Sequence, residues 1–400
     1  MRAIGQSLAA AILVIAATVS AFSQPEKLTQ IPPQWFEEPE KHAKKWKVKI
    51  EPILLFNQRF VIRSAAKFPA SVKGAPRPEY HIFVRLADAS GNWYPGHDYT
   101  RVDLAKVPPK AEMQWTTNIF VKPGTYRAVV LVYEEKSREH YLWRETIQIE
   151  KPRVLPDLDE QFPQVEFFDP KRRRATAGEL LPIHTSRPLR IDLVFNLTSY
   201  RQLASRFDFF NWAVENQLIA ATLVMSQLRP SQGCVRVSAI DILHRDVVRD
   251  RAPANTSADW FAVRESLRKN RDSDTIDVRT LTGRTQARKF FTDFLETVIS
   301  DRSGCGAEQP DMDRAMVVVS DSLQFPPKTE REKIDVPNDQ GVRFFYIRLS
   351  APFTPSFFDQ VGGMLSPLHP RRFEVRGAKD FRETLGKLIL DLEQPAEKQE

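Results

Sequence analysis

Between Val48 and Ile149 apolar and polar residues alternate in short runs. Val48–Ile50, Arg59–Arg63, Tyr80–Leu86, Trp115–Val121, Thr125–Tyr133 and Tyr141–Ile149 each carry the period-two pattern of a half-buried strand. Turn signals separate them at Ser90-Gly91-Asn92 and Lys122-Pro123-Gly124. Strands without helices predict an antiparallel sandwich over 47–151, of immunoglobulin or fibronectin-III size. From Leu189 the period changes. Leu189–Phe195, Cys234–Leu243, Met316–Val319, Val342–Ile347 and Arg372–Val375 read as strands, with Asp277–Leu281 as a short edge strand. Phe209–Leu228, Asp259–Leu267, Gln286–Ile299, Ser356–Leu365 and Asp380–Leu392 read as helices. That alternation predicts an α/β, doubly wound domain over 189–393, its parallel sheet covered on both faces.

The segment between them, 152–188, holds Pro152, Pro156, Pro163, Pro170, Pro182 and Pro188 and the run Lys171-Arg-Arg-Arg174, and reads as a linker. Residues 24–46 read as a leader anchored by Trp35 and Phe36, and 394–400 as a disordered tail. The first residues predict a signal peptide. Arg2 is a positive n-region, Leu8–Val19 an apolar core, and Ala21-Phe22-Ser23 a cleavage site. An uncleaved anchor is the alternative. No later stretch is apolar for long enough to span a bilayer, so the mature chain is expected to be secreted or periplasmic, with no membrane span.

The chain has 400 residues and a formal net charge of +7. The surplus sits in the N-terminal half, partly in Lys41–Lys49. His42-Ala-Lys-Lys-Trp-Lys47 faintly echoes a basic–aromatic nucleic-acid stripe, but export argues against a nucleic-acid partner. The 7 histidines show no H-E-x-x-H spacing, and no Gly-x-Ser-x-Gly elbow or kinase loop set is present. No cofactor is expected. The tryptophans of the first half read as core and hairpin packing, with a carbohydrate-stacking platform as the minority alternative.

Chemistry concentrates where two predicted central strands end. Arg190-Ile-Asp-Leu-Val-Phe-Asn-Leu-Thr-Ser-Tyr200 and Met316-Val-Val-Val-Ser-Asp-Ser322 are apolar runs leading into polar loops. They resemble the two metal-site strands of the von Willebrand factor type A (vWA) family, as found in secreted bacterial vWA-related proteins. Asp359–Gly363, Arg372–Val375 and Asp380–Leu385 resemble that family's closing helix–strand–helix unit. The resemblance implies a Rossmann-type vWA-like fold and a rim built from Asn196, Thr198, Tyr200, Thr282 or Thr285, and Asp321. It also implies that the Mg²⁺ site is degenerate. Asn196 offers an amide where the family has a carboxylate, and Tyr200 a bulky phenol where it has a serine. Hard Mg²⁺ needs near-octahedral oxygens and charge compensation, so no metal is expected. Without the metal, these residues would cap the top of the sheet by hydrogen bonding.

The expected function is non-enzymatic: an exported protein that binds another protein or an envelope component through that rim. A metal-dependent adhesin with a non-standard site around Asp321 and an unrecognised hydrolase are the alternatives. Cys234 and Cys305 are the 2 cysteines, and export permits a bridge between them. With the vWA strand order they would lie two strand spacings, roughly 10 Å, apart, and the Ser303-Gly-Cys-Gly306 loop would have to close the gap. Two unrelated thiols are the alternative.

Overall fold

Among the described residues, eight strands build the first unit. They are β1 (Lys47–Leu54), β2 (Phe60–Pro69), β3 (Glu79–Asp88), β4 (Asp98–Asp103), β5 (Glu112–Val121), β6 (Gly124–Glu134), β7 (His140–Ile149) and β8 (Val165–Phe167). The computed structural model describes residues 31–70, 79–104, 107, 111–151, 163–167, 181–198, 208–242, 245–254, 278–303, 305, 312–321, 334, 341–350 and 359–395; for 208–216 and 278–285 it describes the backbone alone. The signal peptide and the helix expected at Asp259–Leu267 lie outside these residues, as does the tail from Ala396 onward. Two compact units divide the chain. One holds Met1–Leu55, Arg59–Lys151 and Phe162–Ala175; the other holds Phe56–Gln58, Pro152–Gln161 and Thr176–Glu400.

In the first unit two antiparallel sheets, ordered β1-β2-β5-β8 and β4-β3-β6-β7, share one core. Ile62, Phe68, Val84, Trp115, Ile119, Val130 and Trp143 fill it from both sides. β5 alternates buried and open positions, as a strand with one wet face should. β3 and β6 do not alternate, because their second face is covered too. There the 3₁₀ turn Pro33–Glu37 lays Phe36, fully buried, against Phe83, Val129, Leu131 and Leu142. Burying a Phe side chain contributes about 1.5–3 kcal/mol, enough to hold so short a turn.

The second unit is organised by a six-stranded sheet. Its strands are β10 (Leu189–Asn196), β12 (Gly233–Asp241), β13 (Asp246–Pro253), β14 (Asp313–Asp321), β15 (Val342–Leu349) and β16 (Arg371–Val375), in the order β13-β12-β10-β14-β15-β16. β10 is buried at every position. Alternate residues feed different cores. Ile191, Leu193, Phe195, Val317 and Ile347 pack with α1 (Asp208–Met225) and α4 (Ala378–Glu393). Val194, Met316, Val318 and Tyr346 pack with α2 (Val278–Ser300) and α3 (Gln360–Met364). At the sheet's lower end Gly233 has φ +114, and a Cβ there would run into the Leu189 backbone, so only glycine lets β12 close on β10.

The expected fold class is corrected by these elements. Among the described residues 50% are in strands and 22% in helices, so a doubly wound Rossmann-type α/β domain behind an immunoglobulin-like sandwich does not describe the chain. Every strand pairing among β1–β8 is antiparallel. The six-stranded sheet is itself mixed, because β12 reverses directly into an antiparallel β13, with Asp241 opposite Asp246. Three local expectations also change. From Val278 the edge strand expected at Asp277–Leu281 is instead the start of α2. The proline-rich linker contributes two strands, β8 on β5 and β9 (Leu181–Ile183), which pairs in parallel with β11 (Leu228–Pro230). The helix expected from Ser356 is described as the short α3. Among the described residues no helix is long and apolar enough to cross a membrane.

Candidate functional site

The ends of β10, β12 and β14 carry a closed polar network. Asn196 Nδ2 donates to Ser320 Oγ at 2.9 Å, and Asn196 Oδ1 accepts from the Thr198 amide at 3.1 Å. Thr198 Oγ1 donates to Asp241 Oδ1 at 3.2 Å and accepts from the Ile242 amide at 2.7 Å. Ser320 Oγ donates to the Asp321 carbonyl at 2.7 Å. Asn196, Thr198, Asp241 and Ser320 are all at most 3% exposed. Burial of that depth demands hydrogen-bond partners, and each side chain finds its partner on a neighbouring strand end. Alongside, Tyr346 Oη donates to Asp359 Oδ1 at 2.9 Å, and that oxygen also caps α3 through the Gly362 amide at 3.0 Å. Burial, with Asp359 adding to it, holds the Tyr346 phenol well above its ordinary range.

The structure thus brings Asn196 and Thr198 together, and places Asp321 beside them at the half-buried end of β14. Tyr200 lies outside the described residues. Thr282 and Thr285 fall within α2. Asp241 and Ser320 complete the network and were not singled out from the sequence. Their signal was weak: each lies at the polar end of a strand whose middle is mostly apolar.

At the opposite end of the sheet lies a second ionic centre. Asp192 is 4% exposed and receives Arg190 Nε at 3.0 Å and Arg236 Nε at 2.6 Å. Arg236 Nη1 and Arg251 Nη1 reach Asp301 Oδ2 at 2.7 and 3.0 Å. The Ser303 carbonyl accepts from Arg190 Nη1 and Arg236 Nη1, each at 3.2 Å. Burial pushes the Asp192 carboxyl up to about 6, outweighing the neighbouring Arg190 and Arg314 charges that pull it down. Cys234 and Cys305 form a disulfide beside this centre, with Cα atoms 5.6 Å apart. The loop closes the expected gap: Cys305 adopts a left-handed φ of 57°. Arg190 is the register partner of Cys234, so the bridge and the buried charges occupy one corner.

The first unit holds a third cluster, unmarked by sequence spacing. His81, Glu79 and Glu135 bring one ligand atom each within 4.8 Å of one another.

No family model matches the chain, and no curated protein does. Solved structures that align include a structural-genomics target called SoR45, at 13% identity over 29% of this chain and 94% of that one, TM-score 0.16. The putative ApaA protein of Bordetella pertussis aligns at 11% identity over 29% and 99%, TM-score 0.17. A glycosyl hydrolase family 2 member from Bacteroides cellulosilyticus aligns at 9% identity over 88% and 50%, TM-score 0.20. Similarity this low carries no argument about fold or activity.

Proposed function

We propose that this chain is an exported, non-enzymatic interaction protein that binds a protein or envelope component at the strand-top rim of its second unit. The observation that carries the reading is the rim network. Asn196, Thr198, Asp241 and Ser320 satisfy one another across three strand ends, which fixes the ends of β10, β12 and β14 as a rigid scaffold. Binding residues are disproportionately found on loops held by such scaffolds. The sequence likeness to vWA proteins, whose rim is a contact surface, supports the same location, with Asn196 and Tyr200 arguing against their metal. The disulfide supports export, since such bonds persist in oxidising compartments.

The test is site-specific photo-crosslinking in the producing cell, together with fractionation. A photoreactive residue at Tyr200 should give a discrete, saturable adduct in the periplasmic or secreted fraction. The same residue at the exposed Val247 of β13 should not. Equal labelling at both positions, or none at Tyr200, would sink the proposal. An adduct at Tyr200 that disappears with chelator would point instead to the metal-dependent alternative.

A further inference from the structure

Strand register assembles the third cluster. On β3, Glu79, His81 and Phe83 share one face, two residues apart. Across the ladder His81 faces Arg101 on β4 and Tyr133 on β6, while Phe83 faces Tyr99 and Leu131. Just past β6, Glu135 is held opposite Glu79, its amide donating to the Glu79 carbonyl at 3.1 Å. Two carboxylates therefore stand side by side on neighbouring strands, an arrangement that is destabilising without a cation between them.

The His81 ring fills that position. It is 8% exposed and fixed from behind, with Nδ1 at 2.9 Å from Tyr99 Oη. In the tautomer that donates from Nδ1, the Nε2 lone pair points at the carboxylates. Nε2 lies 3.0 Å from Glu135 Oε2 and 3.6 Å from Glu79 Oε1. Around a tetrahedral Zn²⁺ with bonds of about 2.0–2.2 Å, neighbouring ligand atoms are separated by ~3.3–3.6 Å, so these spacings need only small adjustments. A ring nitrogen held by a hydroxyl behind it, with the other aimed at the ion, is the usual outer-shell arrangement of a ligating histidine. Arg101 also bonds Glu79, offsetting one negative charge. With neutral His81 the group keeps one net negative charge, which favours a dication.

We infer that His81, Glu79 and Glu135 form a binding site for a first-row divalent cation of the Zn²⁺ class, on the outer face of the β4-β3-β6-β7 sheet. Imidazole with two carboxylates suits Zn²⁺ and leaves a fourth position for water. The same set is poor for Mg²⁺, which requires octahedral oxygen. This site is separate from the proposed rim, and its failure would leave that reading untouched. No free thiol competes for the ion, because both cysteines are in the disulfide.

The experiment is calorimetric titration of the untagged, full-length mature protein with ZnCl2 near pH 7.5, and in parallel with MgCl2. One saturable Zn²⁺ site is expected, with no Mg²⁺ heat at the same concentrations. Glu135→Gln should weaken Zn²⁺ binding at least tenfold, His81→Ala should abolish it, and His369→Ala should leave it unchanged. Glu135 is exposed and its replacement isosteric, so that variant decides the matter if His81→Ala fails to fold. No saturable Zn²⁺ binding would overturn the inference. Binding that survives unchanged in Glu135→Gln would also overturn it.

Discussion

Replacing Cys234 and Cys305 together by serine removes a bond that closes 71 residues of chain. In the chain-entropy model a loop of that length stabilises the folded state by about 4 kcal/mol, through the conformations it denies the unfolded chain. The structure adds a second contribution. Cys305 lies two residues beyond Ser303, whose carbonyl accepts from both Arg190 and Arg236, and Asp301 anchors the same loop. A loop free to drift would leave two buried guanidiniums short of acceptors, and each lost acceptor costs a further ~1–3 kcal/mol if water does not replace it. For a unit of about 200 residues, 1 kcal/mol moves Tm by roughly 2–4 °C, so the entropic share alone predicts a fall of roughly 8–16 °C. Differential scanning calorimetry of the full chain reads it. The transition of the second unit should drop by that amount while that of the first unit stays in place. Adding reductant to the native protein should reproduce the drop and have no effect on the serine variant. A shift below about 2 °C, or an equal shift of both transitions, would refute the reasoning.

Four further outcomes follow from the same geometry. Asp192 has a folded pKa raised to about 6, so it favours folding fully below its unfolded value and loses that contribution as pH rises through 6; Asp192→Asn should flatten this part of the second unit's stability profile. His97 has the opposite sign: burial, aided by Arg85, lowers it to about 4, so its contribution is present above the unfolded histidine value and lost as pH falls. In the His97→Gln variant the first unit should lose less stability between neutral pH and pH 4. Gly233→Ala should destabilise by more than 2 kcal/mol, on the order expected for a strained left-handed position with a backbone clash, read by urea denaturation. Thr198→Val keeps the shape but strips the Ile242 amide of its acceptor, and should cost about 1–3 kcal/mol in the same assay.

Periodicity located most strands and the long helices because burial writes a repeat directly into the chain. The boundaries were legible to a residue or two at Leu189, Val342 and Arg371. It failed where the deciding partner is remote. β8 and β9 sit in a proline-rich stretch, and what makes them strands is the free edge of β5 in one case and β11 in the other. The start of α2 was read as a strand because Asp277–Leu281 is too short to distinguish the two periods. The fold class went wrong at a connection: the β12–β13 reversal takes only Ile242–Arg245, and nothing in those residues marks the end of strand–helix alternation.

The ionic centres were missed for a different reason, which also shows how to find such sites. Arg190 and Asp192 lie in a run that reads as apolar strand, and a charge there looks like noise. No charge survives at 2–4% exposure without a partner, so each one implies another charge, hydrogen bond or ion brought to it by register. The pairs obey that rule. Asp192 is the register partner of Arg236 and bonds it at 2.6 Å; Arg348 is the register partner of Glu374 and bonds it at 2.9 Å. On β3 the rule leaves a question: His81 faces Arg101 and Tyr133 in register, yet turns its Nε2 to two carboxylates along the strand. Arg101 offsets the charge of Glu79 alone, and Glu135 stands on the other side of the ring. The Zn²⁺ titration tests whether a bound cation joins the three.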